Sequence, residues 1–278
     1  MPNASVTHVS LDHTLHNGWS MDHQGLPPID MLLACDPQTV VSAMLADMNI
    51  PPRRLDAEQT AAVRSAPAAA KEGPLAVEDI AHALQNTRGD RAVSLLHLPL
   101  SWNGAWWPFQ HPLDYLGSDG GGGIGGGPGI SVGAALALRD LGSGRLPVAI
   151  VGDGDFLMGV TAIWTAVHYR IPLMMIVANN RSYYNDEVHQ ERMARMRNRP
   201  VENKWIGQRM TDPEIDLAAL ARAQGATAFG PVTLRQDMAT AFEAAIRATE
   251  AGAVTVVDVR VEPGYTPAMT AALARSAT

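Results

Sequence analysis

Two wholly apolar runs, "LPVAIV" (residues 146–151) and "LMMIVA" (residues 173–178), constrain this chain more than any other feature. A strand with one wet face alternates apolar and polar residues; a run of six without a polar side chain fits a strand covered on both faces. Between them lies "GVTAIWTAVHYR" (residues 159–170), with helical spacing and a stop at Pro172. A strand, a helix and a second strand of this kind make a parallel pair. The same grammar recurs along the chain. Residues 6–12, 92–98 and 253–261 read as strands. Residues 77–86 and 129–138 read as helices, as do "IDLAALARAQGA", with Asp216 near its start and Gly225 as its C-cap, and "MATAFEAAIRATEAG". Asp36-Pro37 before "QTVVSAMLADM" is an N-cap followed by a first-turn proline. The expected fold class is therefore α/β, a doubly wound parallel sheet with helices on both faces.

Proline brackets and alanine fills "PPRRLDAEQTAAVRSAPAAAKEGP", which begins at Pro51. This predicts a linker over 51–76, between an α/β unit at 1–50 and the main domain at 77–278. The 278 residues carry a net charge of −7, which argues against a general nucleic-acid binder. No apolar run reaches membrane-spanning length, and the first residues show no secretory pattern. Cys35 is the only cysteine, so an intrachain disulfide is impossible. Together these predict a cytoplasmic protein with neither nucleic acid nor membrane as a partner.

The polar ends of the two apolar runs carry the chemistry. "VGDGD" (residues 151–155) sets Asp153 between glycines; "ANNRS" (residues 178–182) sets Asn180 past the next strand. In a parallel sheet, ligands sit outside the carboxyl ends of the strands. One charged and one neutral oxygen donor at neighbouring strand ends suit Mg²⁺, which fills its shell with phosphate oxygens and water. Glycines beside the carboxylate let backbone N–H groups approach an anion, and a helix starting near Gly159 adds a positive end. A cation bridging a diphosphate is the implied chemistry; an ordinary Asp/Gly turn followed by an Asn-Asn loop is the bland alternative. Upstream, "SDGGGGIGGGPG" (residues 118–129) lacks the lysine of a P-loop and reads either as a close-contact backbone or as a flexible linker.

The stretch from Gly152 through Asn180, Gly-Asp-Gly followed at the right distance by Asn-Asn, resembles the signature of thiamine diphosphate (ThDP) enzymes. It is similar to the pyrophosphate-binding domain of the acetolactate synthase, benzoylformate decarboxylase and benzaldehyde lyase group. By that resemblance Asp153 and Asn180 bind Mg²⁺ through their side chains and Ser182 through its carbonyl. Gly152, Gly154 and Asp155 belong to the diphosphate loop, with Gly154 and Asp155 offering N–H groups. Gly123 and Ile124 stand in the segment that holds the aminopyrimidine ring, Ile124 being the apolar residue beneath the cofactor. Trp102 and Asn103, after the strand at 92–98, become cofactor neighbours, although "WNGAWW" reads equally as an aromatic patch at a subunit contact. Tyr183 and Tyr184 fall where the family covers the cofactor, and residues 198–212 read as a loop closing the pocket. Arg192, Arg195, Arg197 and Arg199 read as a solvated face, or else as a grip on an anionic substrate.

The resemblance also implies what to expect elsewhere. The family's catalytic glutamate comes from a pyrimidine-binding domain, and residues 6–48 resemble the end of its middle domain. No catalytic residue is therefore expected in this chain. It reads as one half of a split enzyme, a hetero-oligomer whose second subunit carries the pyrimidine-binding domain, or else as a fragment of a longer chain. The expected reaction cleaves or forms a C–C bond next to a carbonyl, on a 2-oxo acid or aldehyde, as in decarboxylation or carboligation. A 2-hydroxyacyl-CoA lyase, a non-catalytic ThDP-binding regulatory subunit and an unrelated Mg²⁺-dependent phosphate-ester enzyme remain as rivals.

Overall fold

The computed structural model describes residues 4–11, 29–48, 73–117 and 123–264. They fall into two compact units divided after residue 59. In the first, β1 (Thr7–Val9) and β2 (Met31–Leu33) pair in parallel. Helix α1 (Pro37–Asp47) follows; the Asp36 carboxylate accepts the Gln38 N–H at 2.7 Å and Pro37 opens the first turn. The short strand lies within the expected one at 6–12.

The second unit is a five-stranded parallel sheet in the order β3-β4-β5-β7-β6. Its elements are α2 (Val77–Thr87), β3 (Val93–His97), α3 (Gly127–Asp140), β4 (Leu146–Gly152), α4 (Asp153–Gly159), α5 (Thr161–His168), β5 (Leu173–Asn179), α6 (Tyr184–Met196), α7 (Leu217–Ala223), β6 (Thr227–Val232), α8 (Arg235–Glu250) and β7 (Val254–Arg260). Strands β4 and β5, the two apolar runs, lie side by side with Val148 opposite Met174 and Gly152 opposite Ala178. All seven residues of β5 are buried.

Alternation along each strand feeds two separate cores. Val148, Ile150, Met174, Ile176, Val257 and Val259 face α2 and α8, where Ile80, Leu84 and Phe242 pack. Ala149, Val151, Met175, Val177 and Val256 face the other layer, with Phe156, Ile163 and Leu217. Helices on both faces explain why β4, and β5 up to Ala178, carry no polar side chain.

Four boundaries differ from the sequence expectations. The helix after β4 begins at Asp153 rather than near Gly159, because the chain turns into α4 directly and α5 follows after a break at Val160. The residues after Asn180 form helix α6 rather than a covering loop. Strand β6 has no counterpart among the sequence expectations; it carries Gly230-Pro231 and occupies the sheet edge, where proline is tolerated. The linker expected at 51–76 lies outside the described residues up to 72; nearer its end, Leu75 is buried in the core and its carbonyl accepts the Glu262 N–H at 2.8 Å. Among the described residues, no helix is long and apolar enough to cross a membrane.

Candidate functional site

A cleft of about 580 Å³ opens off the carboxyl ends of four strands. Its walls are the segments that follow them: His97 to Ser101 after β3, Gly152 to Asp155 after β4, Ala178 to Asp186 after β5, and Val261 to Gly264 after β7. Parallel strands deliver their ends to one rim, so residues far apart in sequence meet there.

Asp153 opens α4 and is only 3% exposed. Its Oδ1 accepts the Gly154 N–H at 2.9 Å, and its Oδ2 accepts the Ser182 N–H at 3.2 Å. That same Ser182 N–H reaches Asn180 Oδ1 at 2.8 Å. A carboxylate oxygen and a carboxamide oxygen thus converge on one backbone donor at the cleft wall. Burial pushes the Asp153 carboxyl up to about 6 against the lowering effect of the Gly154, Arg181 and Ser182 N–H groups. A desolvated carboxylate with a neutral oxygen beside it has the chemistry that could hold a hard cation. No cluster of three His, Cys, Asp or Glu side chains that could hold a metal occurs among the described residues.

The loop between β5 and α6 is fastened on both sides. Asn179 donates through Nδ2 to the buried Asp258 Oδ1 at 2.9 Å, and its own Oδ1 accepts the Arg181 N–H at 3.2 Å. The first asparagine of the pair is thus an anchor to β7, while the second faces the cleft. Arg181 has a positive φ of 59°. On the other side Ser182 Oγ donates to the buried Glu187 at 2.5 Å, and Arg209 reaches Glu187 at 3.3 Å. The Tyr183 N–H bonds the Gln208 carbonyl at 2.9 Å and the Met210 N–H bonds the Arg181 carbonyl at 2.9 Å. The 198–212 segment, expected to close the pocket, contributes no residue to the cleft lining and instead braces this loop.

Gly154 is flush with the Tyr183 ring, and a Cβ there would collide with it. Burial and then the Asp153 charge hold the Tyr183 phenol above its ordinary value. Asp155 Oδ1 accepts the N–H groups of Gly125 at 2.6 Å and Gly127 at 3.2 Å.

The structure brings Gly123, Ile124, Gly152, Asp153, Gly154, Asp155, Asn180, Ser182, Tyr183 and Tyr184 to the cleft wall. Residues 118–122 of the glycine run lie outside the described residues. Trp102 and Asn103 do not line the cleft. Trp102 is buried in the core against Trp106, with ring centroids 5.8 Å apart. Asn103 Oδ1 caps a short helical turn by accepting the Ala105 N–H at 2.9 Å. Lining residues that sequence reasoning missed include His97, Leu98, Ser101 and Glu262. His97 closes β3, Leu98 and Ser101 follow it, and Glu262 follows β7, all at strand ends as Asp153 is. The arginine run lies on and after α6, where Arg195 pairs with Glu191 at 2.7 Å, as on a solvated face.

Residues 100–259 match the family described as thiamine pyrophosphate enzyme, C-terminal TPP binding domain. With more than half of its length inside that match, the chain belongs to this family. It is 27% identical over 150 residues to benzoylformate decarboxylase of Pseudomonas aeruginosa, covering 51% of this chain and 24% of that one. Among solved structures it resembles the thiamine diphosphate-dependent 4-hydroxybenzoylformate decarboxylase of Rhodococcus jostii RHA1, with TM-score 0.62 and 24% identity over 86% of this chain and 41% of that chain. Benzoylformate decarboxylase from Polynucleobacter necessarius gives TM-score 0.57 and 23% identity over 71% and 36%. The chain spans about a quarter of the length of the curated relative.

Proposed function

We propose that this chain is the cofactor-pyrophosphate half of a ThDP- and Mg²⁺-dependent enzyme acting on a C–C bond next to a carbonyl. One observation carries the reading: Asp153 Oδ2 and Asn180 Oδ1 converge on the Ser182 N–H at the mouth of a strand-end cleft. Asp153, Asn180 and the Ser182 carbonyl would hold Mg²⁺. With a cation on the Asp153 carboxylate, the Gly154 N–H would be available to a phosphate oxygen, while the Ser182 N–H would keep Asn180 Oδ1 at 2.8 Å. Ile124, 49% exposed on the cleft wall, offers the apolar surface for the cofactor's rings. Tyr183 packed on Gly154 shields the buried carboxylate from water. When bound, ThDP supplies a carbon nucleophile and an electron sink for the bond beside a carbonyl.

We place the catalytic glutamate on a second subunit with a pyrimidine-binding domain, so that the working enzyme is a hetero-oligomer. The half-open cleft, with exposed Leu100 and Ile124 at its rim, supports an apolar cover from outside the chain. The substrate class is a 2-oxo acid, with decarboxylation first among the reactions; the curated relative's name makes benzoylformate the first compound to try. The test is titration of the full chain with ThDP, with and without Mg²⁺, followed by CO₂ release from 2-oxo acids in the presence of the partner. Mg²⁺-dependent ThDP binding and CO₂ release are expected. Failure to bind ThDP in Mg²⁺ would overturn the reading; binding without turnover would leave a regulatory subunit.

A further inference from the structure

We infer that the Asp155 carboxylate is a positioning group, a clamp that holds the glycine-rich segment so that Ile124 stands in the cleft. The inference rests on the proposed ThDP site and assigns the side chain of Asp155 a task beyond its backbone N–H. Asp155 lies in the first turn of α4, and its Oδ1 takes two backbone donors, Gly125 N–H at 2.6 Å and Gly127 N–H at 3.2 Å. Gly126, between them, is the residue that caps α3. One carboxylate oxygen therefore ties the start of α3 to the start of α4.

The other carboxylate oxygen lies toward His97. Oδ2 is buried without a hydrogen-bond partner and lies 3.9 Å from His97 Nε2. The His97 ring is itself held, with Nδ1 3.3 Å from the Ile150 carbonyl; a carbonyl only accepts, so Nδ1 carries the proton of that contact. The glycines now have a specific reason. A Cβ at Gly127 would collide with Asp155 Oδ2 and stand 3.2 Å from His97 Cε1. Gly125 has φ +98°, and a Cβ there would stand 2.9 Å from the Met158 Cβ, which also belongs to α4. The segment rides against α4 at two points, and Ile124 is the next residue outward. Asp153 and Asp155, two residues apart, thus serve opposite ends of one ligand: Asp153 the phosphates, Asp155 the rings.

The test compares Asp155→Ala and Asp155→Asn in the full chain with two readouts. The first is amide hydrogen exchange of Gly125 and Gly127 without ligand. Asp155→Ala should speed it at least about tenfold and Asp155→Asn, which keeps one acceptor, by less than about threefold, while amides of β5 stay protected. The second compares Mg²⁺ with ThDP and Mg²⁺ with inorganic pyrophosphate. Asp155→Ala should weaken ThDP about tenfold and pyrophosphate by less than about twofold. Unchanged glycine exchange overturns the clamp. Equal weakening of both ligands overturns the ring-side role and marks a general disturbance of α4. If Asp155→Ala also loses β5 protection, Asp155→Ser, whose shorter side chain withdraws the acceptor from the Gly125 and Gly127 N–H groups, carries both comparisons with the values given for alanine. A wild-type chain that binds no ThDP overturns the proposed function and with it the ring-side role, while glycine exchange still decides the clamp.

Discussion

Replacing Asp153 with asparagine should make the ligand-free protein more stable at pH 8, although it removes the central residue of the site. The carboxyl is displaced from its ordinary 3.8 to about 6 because burial penalises its charge. The folded state therefore holds the proton more tightly than the unfolded chain. The resulting stabilisation is complete below the unfolded value and is lost as pH rises through about 6. The displacement converts to ~3 kcal/mol of lost stability at pH 8, about half of it already gone by pH 5. Asparagine carries no charge to desolvate. It keeps one acceptor, so one of the Gly154 and Ser182 N–H groups loses its bond at a cost of about 1 kcal/mol. Ser182 retains Asn180 Oδ1 at 2.8 Å, which limits that loss. The net expectation is ~2 kcal/mol of added stability at pH 8, or about 4–8 °C in Tm. At pH 4 the two proteins should agree within about 1 kcal/mol. Urea unfolding followed by tryptophan fluorescence at both pH values measures this. In ThDP and Mg²⁺ the order should reverse, because only the wild type gains from the ligands. An Asp153→Asn protein less stable than wild type at pH 8 without ligand would refute the reasoning.

Asn180→Ala should leave the ligand-free Tm within a few degrees but raise the Mg²⁺ concentration needed for ThDP-induced stabilisation at least about tenfold, as read from a Mg²⁺ titration. Gly154→Ala should cost about 1–3 kcal/mol in urea unfolding, because its Cβ collides with the Tyr183 ring, and adding Tyr183→Leu should recover part of it. Trp102→Phe should cost about 1–3 kcal/mol of stability yet leave ThDP affinity unchanged, since the indole packs in the core; a weakened affinity would return Trp102 to the site.

Much of the sheet is legible because the interiors of β4 and β5 are apolar on both faces, and few other folds tolerate such runs. Asp153 and Asn180 stand out for a related reason: a polar residue past the end of an apolar strand of a parallel sheet lies at the rim where ligands sit. Other features depend on distance rather than pattern. Nothing in the text separates Asn179, turned back to Asp258, from Asn180, turned to the cleft. The Asp155 contacts are equally silent, since they join residues 28 and 30 positions apart. Strand β6 hides because its edge position excuses a proline that a central strand would forbid. Trp102 misleads because large aromatics serve cores and ligand walls alike.

The division of labour between strand interiors and strand ends has an evolutionary corollary. The interior answers to packing against two helical layers, whereas the stretches after β3 and β7 answer to whatever enters the cleft. Descendants of such a scaffold can exchange Leu100 and Ser101, which stand outside the core, and acquire a new diet without renegotiating how the chain assembles.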